Sequence, residues 1–113
     1  MPDQVERLQS LRAAARERIA ELRRELDDVI DSASSTTGDD EHDPEGATIG
    51  FERAQAQALL DQATAQLADV EAALARVDAG TYGRCVICGG PIGAERLAAR
   101  PAADRCIVCA RLG

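Results

Sequence analysis

Apolar residues recur every three or four positions along the first third of the chain. Leu8, Leu11, Ala15, Ile19, Leu22, Leu26, Val29 and Ala33 form one narrow stripe in a stretch dense in Ala, Leu, Arg and Glu. With no Gly or Pro after Pro2, residues 3 to 34 read as one helix. Its remaining faces are polar, so the stripe must meet a single partner. The pattern returns after a break. Ile49, Ala56, Ala63, Val70 and Val77 recur every seven residues, and Leu60, Leu67 and Leu74 fall four after three of them. This is an a/d heptad seam over a second helix, from about residue 47 to 79, weakened where Arg53 takes a seam position. Two stripes of similar length joined by a short loop predict an antiparallel helical hairpin. About thirty residues at 1.5 Å each would extend it roughly 45 Å. Asp78-Ala-Gly-Thr81 ends the second helix, with Gly80 suited to the position just past the cap.

Between the stripes, residues 34 to 46 carry Gly, Pro and hydroxyl side chains that break the helical pattern. Asp39, Asp40, Glu41, Asp43 and Glu45 make this loop the most acidic part of the chain, and His42 within it reads as a solvated residue. Composition sharpens the picture beyond the hairpin. The 113 residues include one Phe, one Tyr and no Trp, so bulky core residues are scarce and a small module needs a staple. The net charge of −7 is unevenly spread: residues 81 to 113 hold five Arg against two acids. An acidic chain is a poor partner for duplex DNA, which is held by neutralising many phosphates, so this chain is not expected to grip DNA by itself. No stretch has the apolar length of a membrane span, and residues 1 to 10 lack the apolar core of a signal peptide. A cytoplasmic protein is expected.

The staple is legible near the C-terminus. Cys85-Val-Ile-Cys88 and Cys106-Ile-Val-Cys109 are two Cys-x-x-Cys pairs with residues 89 to 105 between them, and they hold all four cysteines. That spacing is characteristic of zinc, because each pair can span one edge of a tetrahedron of thiolates. Disulfides would need an oxidising compartment, and a thioredoxin-like pair would need a βαβ context that the sequence does not show. Four thiolates close the coordination sphere, so one structural Zn²⁺ is expected at Cys85, Cys88, Cys106 and Cys109. The fold class is therefore mostly α: a hairpin over residues 1–79, with its tip loop at about 35–47, and a zinc-finger module over 80–113. A short helix is expected at residues 94 to 99, ending before Arg100-Pro101.

The run from Gly80 to Cys109 resembles the zinc finger of the DksA/TraR family of bacterial transcription regulators. Besides the cysteines, Tyr82-Gly83, Ile92, Arg96-Leu97 and Ala99-Arg100-Pro101 stand where that family has them. The hairpin with an acidic tip is similar to the family's coiled coil. The resemblance implies a protein with no sequence-specific DNA binding that binds RNA polymerase, puts its coiled-coil tip into the secondary channel and alters the lifetime of open promoter complexes, without enzymatic activity. The family's tip commonly reads Asp-x-x-Asp-x-Ala. Here the gapless register gives His42-Asp43-Pro44-Glu45-Gly46-Ala47, while sliding by one residue puts Asp43 first, Gly46 at the second Asp and Thr48 at the Ala. Asp43, Glu45 and Ala47 are the candidate tip residues. In DksA-like members a finger Arg, basic residues late in the second helix and a Lys after the last cysteine help bind guanosine tetraphosphate (ppGpp). Arg100 matches, whereas Gln62, Gln66, Asp69 and Ala110 stand elsewhere, so weak or absent ppGpp binding is expected.

Two other functions fit the residues. Arg84, Arg96, Arg100, Arg105 and Arg111 could line a nucleic-acid face, although aromatics for base stacking are nearly missing. The seam could also pair with a helix of another protein or of a second copy. The reading adopted is a monomeric regulator that binds polymerase. Enzymatic activity is not expected, since there is no nucleophile with a base and no Gly-rich phosphate loop.

Overall fold

A computed structural model describes residues 2–35 and 44–112, with side chains over 3–31 and 48–112. Four helices follow one another: α1 (Pro2–Ser35), α2 (Pro44–Ala79), α3 (Ala94–Ala99) and α4 (Ile107–Leu112). Among the described residues β-structure amounts to an isolated bridge between Arg84 and Pro91. The fold is thus mostly α, with the two long helices as a hairpin and the finger after them. No helix of the described residues is long and apolar enough to cross a membrane.

The second helix begins earlier than the sequence pattern suggests. Pro44, Glu45 and Gly46 belong to α2 rather than to the loop. A proline tolerates the first turn because its missing N–H would be unpaired there anyway, and its fixed φ already suits the helix. Ser34 and Ser35 likewise continue α1. At the other end the expected stop is met: Gly80 has φ 76°, Gly80 N donates to Val77 O at 3.1 Å and Thr81 N donates to Arg76 O at 2.9 Å. These two bonds are a Schellman motif, which satisfies carbonyls that the helix end would otherwise leave open. Helix α3 falls on the expected residues, whereas α4 was not foreseen.

The chain forms two compact units. One contains residues 1–14 and 66–113; the other contains residues 15–65. In the first, Leu8, Val70 and Ala73 form a buried cluster, against which Leu11, Leu74, Val77, Tyr82 and Ala102 pack. In the second, Ala15, Ile19, Leu22, Ala56 and Ala63 are buried, all of them stripe positions. Ala73 is the departure: it lies off the heptad series yet is fully buried. Arg53, the polar residue in the seam, is exposed.

Candidate metal centre and adjoining basic pocket

Each Cys-x-x-Cys pair is shaped by its own backbone. In the first, Cys85 N donates to Gly90 O at 2.8 Å, Gly89 N donates to Cys85 O at 2.9 Å, and Ile87 N points at Cys85 Sγ at 3.4 Å. This tight reversal needs a left-handed residue just past Cys88, and Gly89 supplies it with φ 74°. In the second, Cys109 N approaches Cys106 Sγ at 3.5 Å and Ala110 N donates to Cys106 O at 2.9 Å, which starts α4 on the knuckle itself. Val86 N donates to Asp104 O at 2.9 Å and ties the two knuckles together.

The four sulfurs consequently converge. All lie within 4.8 Å of one another, and Cys88 Sγ and Cys106 Sγ are 3.8 Å apart. Zn–S bonds of about 2.3 Å imply tetrahedral edges of about 3.8 Å, so the residues fit one structural Zn²⁺. Their protonation is uneven when no metal neutralises them. Cys85 is lowered to about 6, chiefly by the backbone N–H of Cys88. Cys106 is also lowered, chiefly by the Cys109 N–H, whereas hydrogen bonding to Cys106 and Cys85 pushes Cys109 up to about 12. Hydrogen bonds in the cluster thus shift Cys85 and Cys106 toward thiolate, and a divalent cation would displace the proton that Cys109 retains.

Beneath the metal site, Cys85, Ile92 and Leu97 form a second buried cluster with Tyr82, Ala103, Cys106 and Cys109 packed on it. Tyr82 belongs to both clusters of this unit, and its hydroxyl donates to Pro101 O at 2.8 Å. Burial raises its pKa, while the cations of Arg7 and Arg76 oppose that shift. Arg96 Nε donates to Arg105 O at 2.8 Å and holds α3 to the second knuckle. Arg7 Nη1 donates to Ala98 O at 2.6 Å and holds α1 to α3.

The same unit carries an open pocket of about 590 Å³. Arg7, Arg76, Arg96, Arg100 and Arg105 line it, opposed by Asp69 and Asp104. Arg100, read from the sequence as a candidate contact, is there beside Gln66 and Ala110. Arg7, near the start of the chain, reaches the finger only through packing, and Arg76 reaches it from the last turn of α2. Arg76 Nε and Nη2 are buried without a hydrogen-bond partner, a condition that typically costs about 1–3 kcal/mol. Of the nucleic-acid candidates, Arg96, Arg100 and Arg105 reach this pocket, while Arg84 lines a different one and Arg111 lines neither. Asp43 lies outside the described residues. Glu45 and Ala47 lie in α2, but their side chains are outside the described ones.

Known proteins resemble both parts of the chain. Residues 80–112 match the prokaryotic dksA/traR C4-type zinc finger. The RNA polymerase-binding transcription factor DksA of Haemophilus influenzae is 49% identical over 43 residues, covering 38% of this chain and 30% of that protein. The matched stretch thus spans less than a third of that relative. Among solved structures, transcription factor DksA2 from Pseudomonas aeruginosa superposes with a TM-score of 0.56 at 27% identity, covering 93% of this chain and 81% of the other.

Proposed function

We propose that this chain is a member of the DksA/TraR family that binds RNA polymerase and regulates transcription by entering the secondary channel with the tip of its hairpin. The observation that carries this reading is the pairing of a family-type finger with a long helical hairpin in a chain that superposes on the DksA2 structure over 93% of its length. In the channel the acidic tip, with Asp43, Glu45 and Ala47, acts on the stability of the open promoter complex. An acidic group near a Mg²⁺-dependent centre changes the local field in which metal and substrate bind.

The zinc site has a structural role, since its four thiolates leave no open position for water or substrate, and the protein acts as a regulator rather than as an enzyme. It works as a cytoplasmic monomer. Charge also argues for a protein partner over DNA, since the chain is −7 overall. The pocket beside Arg100 has Asp69 on its wall, and that carboxylate opposes a polyphosphate, which favours weak or absent ppGpp response.

The test is retention of core RNA polymerase by the purified protein, followed by measurement of promoter-complex lifetime. The Asp43→Asn/Glu45→Gln variant is expected to bind polymerase as wild type does and to lose the effect on lifetime. Cys85→Ser is expected to lose zinc, fold and binding together. Failure of the wild type to bind polymerase from its own host would sink the reading and favour the adaptor or nucleic-acid alternative.

A further inference from the structure

We propose that the arginine-lined pocket beside the finger is a socket for a carboxylate side chain of the polymerase, gripped by Arg76. This rests on the polymerase-binding function proposed above. It adds a contact at the base of the hairpin, remote in sequence from the tip.

Most arginines of the pocket are already engaged. Arg7 donates through Nη1 to Ala98 O, Arg96 donates through Nε to Arg105 O, and Arg105 lies 3.9 Å from Asp104. Arg76 differs: its Nε and Nη2 have no partner although solvent does not reach them. Those two donors form one edge of the guanidinium fork, the edge that pairs with the two oxygens of a carboxylate. The side chain lines an open pocket, so rotation about its own torsions is the movement that brings this edge to an incoming group. An acceptor that arrives there relieves donors that the free protein leaves unmet, which makes its binding more favourable than that of a surface ion pair.

The occupant follows from the charges. Five arginines face two aspartates, and Asp69 and Asp104 stand on the same walls. A polyphosphate would bring several negative charges against both carboxylates, and Gln66 and Ala110 add no cation to offset them. A single carboxylate needs one fork, and one free fork edge is present. Arg100, exposed at the same pocket and without a hydrogen bond from its side chain, supplies a second positive charge toward an acidic segment.

The experiment exploits composition, for the chain contains no lysine. Arg76→Lys therefore introduces a single side-chain amine. A carbodiimide activates the facing carboxylate, the amine displaces the activating group as a urea, and an amide bond remains. Wild type, Arg76→Lys and Arg76→Gln are compared for zinc content, circular dichroism and affinity for core RNA polymerase. All three are expected to hold zinc, with Arg76→Gln binding about tenfold or more weakly. Carbodiimide treatment of the Arg76→Lys complex is expected to give a cross-link from position 76 to an Asp or Glu of a polymerase subunit, read by mass spectrometry. The wild type is expected to give none from that position.

If the wild type binds and Arg76→Gln binds equally well, or if bound Arg76→Lys gives no such cross-link, the socket is disproved while polymerase binding stands. If the wild type fails to bind, the functional reading falls and the socket with it. Inorganic phosphate serves as the competing probe. Thermal stabilisation of the wild type by phosphate, lost in Arg76→Gln with polymerase affinity unchanged, would overturn the socket in favour of a free-anion site. Should Arg76→Gln lose zinc and fold, Arg100→Gln takes its place: weakened binding supports the socket, and unchanged binding refutes it.

Discussion

Single buried residues contribute measurably to the stability of the unit that contains the finger. Leu8 is fully buried and Leu97 is 2% exposed, each at the centre of its cluster. Truncating either to Ala removes buried methyl groups and leaves a cavity, so a loss of about 2–5 kcal/mol is expected in denaturant unfolding. Tyr82 packs against both clusters and donates to Pro101 O, so Tyr82→Phe is expected to cost about 0.5–1.5 kcal/mol, read the same way. It is the sole Tyr in a chain without Trp, which makes its ionisation directly visible in near-ultraviolet absorbance. Burial raises its pKa above 10.0. The neutral phenol is the form that the fold favours, so this contribution to stability is present below pH 10.0 and is lost as pH rises above it. Absorbance should therefore show ionisation in the native protein later than in the protein unfolded by denaturant.

At the level of elements, turns and knuckles decide where each helix begins and ends. Gly80 closes α2 in a left-handed conformation, with open space around the position of a Cβ. Gly80→Ala thus costs only backbone strain, about 1–2 kcal/mol, visible as a lowered thermal midpoint. The knuckles respond to protons through the thiolates that zinc needs. Cys85 is lowered from 9.0 to about 6, so its thiolate contributes fully above pH 9.0 and ceases to contribute as pH falls through about 6. Metal affinity follows the same direction, since protons compete with Zn²⁺ for sulfur. Acidification is expected to release zinc to a chromophoric chelator and to melt the knuckles, α4 included.

For the whole molecule, the two units differ in what holds them. Residues 1–14 and 66–113 have the clusters around Leu8 and Leu97 and the four-cysteine site. Residues 15–65 bury Ala15, Ile19, Leu22, Ala56 and Ala63, of which three are alanines with little apolar surface to remove from water. Local opening is easiest where few apolar contacts must be broken. In native-state hydrogen exchange, helical amides of residues 15–30 and 50–65 are expected to exchange faster than those of residues 67–78. Equal protection in the two stretches would show that the metal and the larger side chains add nothing local. Stripping zinc is expected to reduce protection in residues 67–78 as well as in the finger, because Tyr82 packs against both clusters of that unit.

The hairpin, its C-terminal stop at Gly80, α3 and the zinc ligands were all determined by sequence, because each depends on local spacing. Heptads set the helical faces, a glycine sets a left-handed cap, and two Cys-x-x-Cys pairs set a tetrahedron of sulfurs. The earlier start of α2 at Pro44 was obscured by the turn-forming chemistry around it, although proline is at home in a first helical turn. Burial of Ala73 was invisible for a different reason. It lies off the seam, and its cover comes from Leu8 in α1 and from Ala102 packed on the same cluster, residues distant in sequence. The basic pocket is the clearest case of a feature decided by tertiary structure alone. Arg7 stands near the start of the chain, Arg76 at the end of α2 and Arg100 between the knuckles. No periodicity relates these three positions; only long-range packing brings them to one cavity and leaves one edge of Arg76 without a partner.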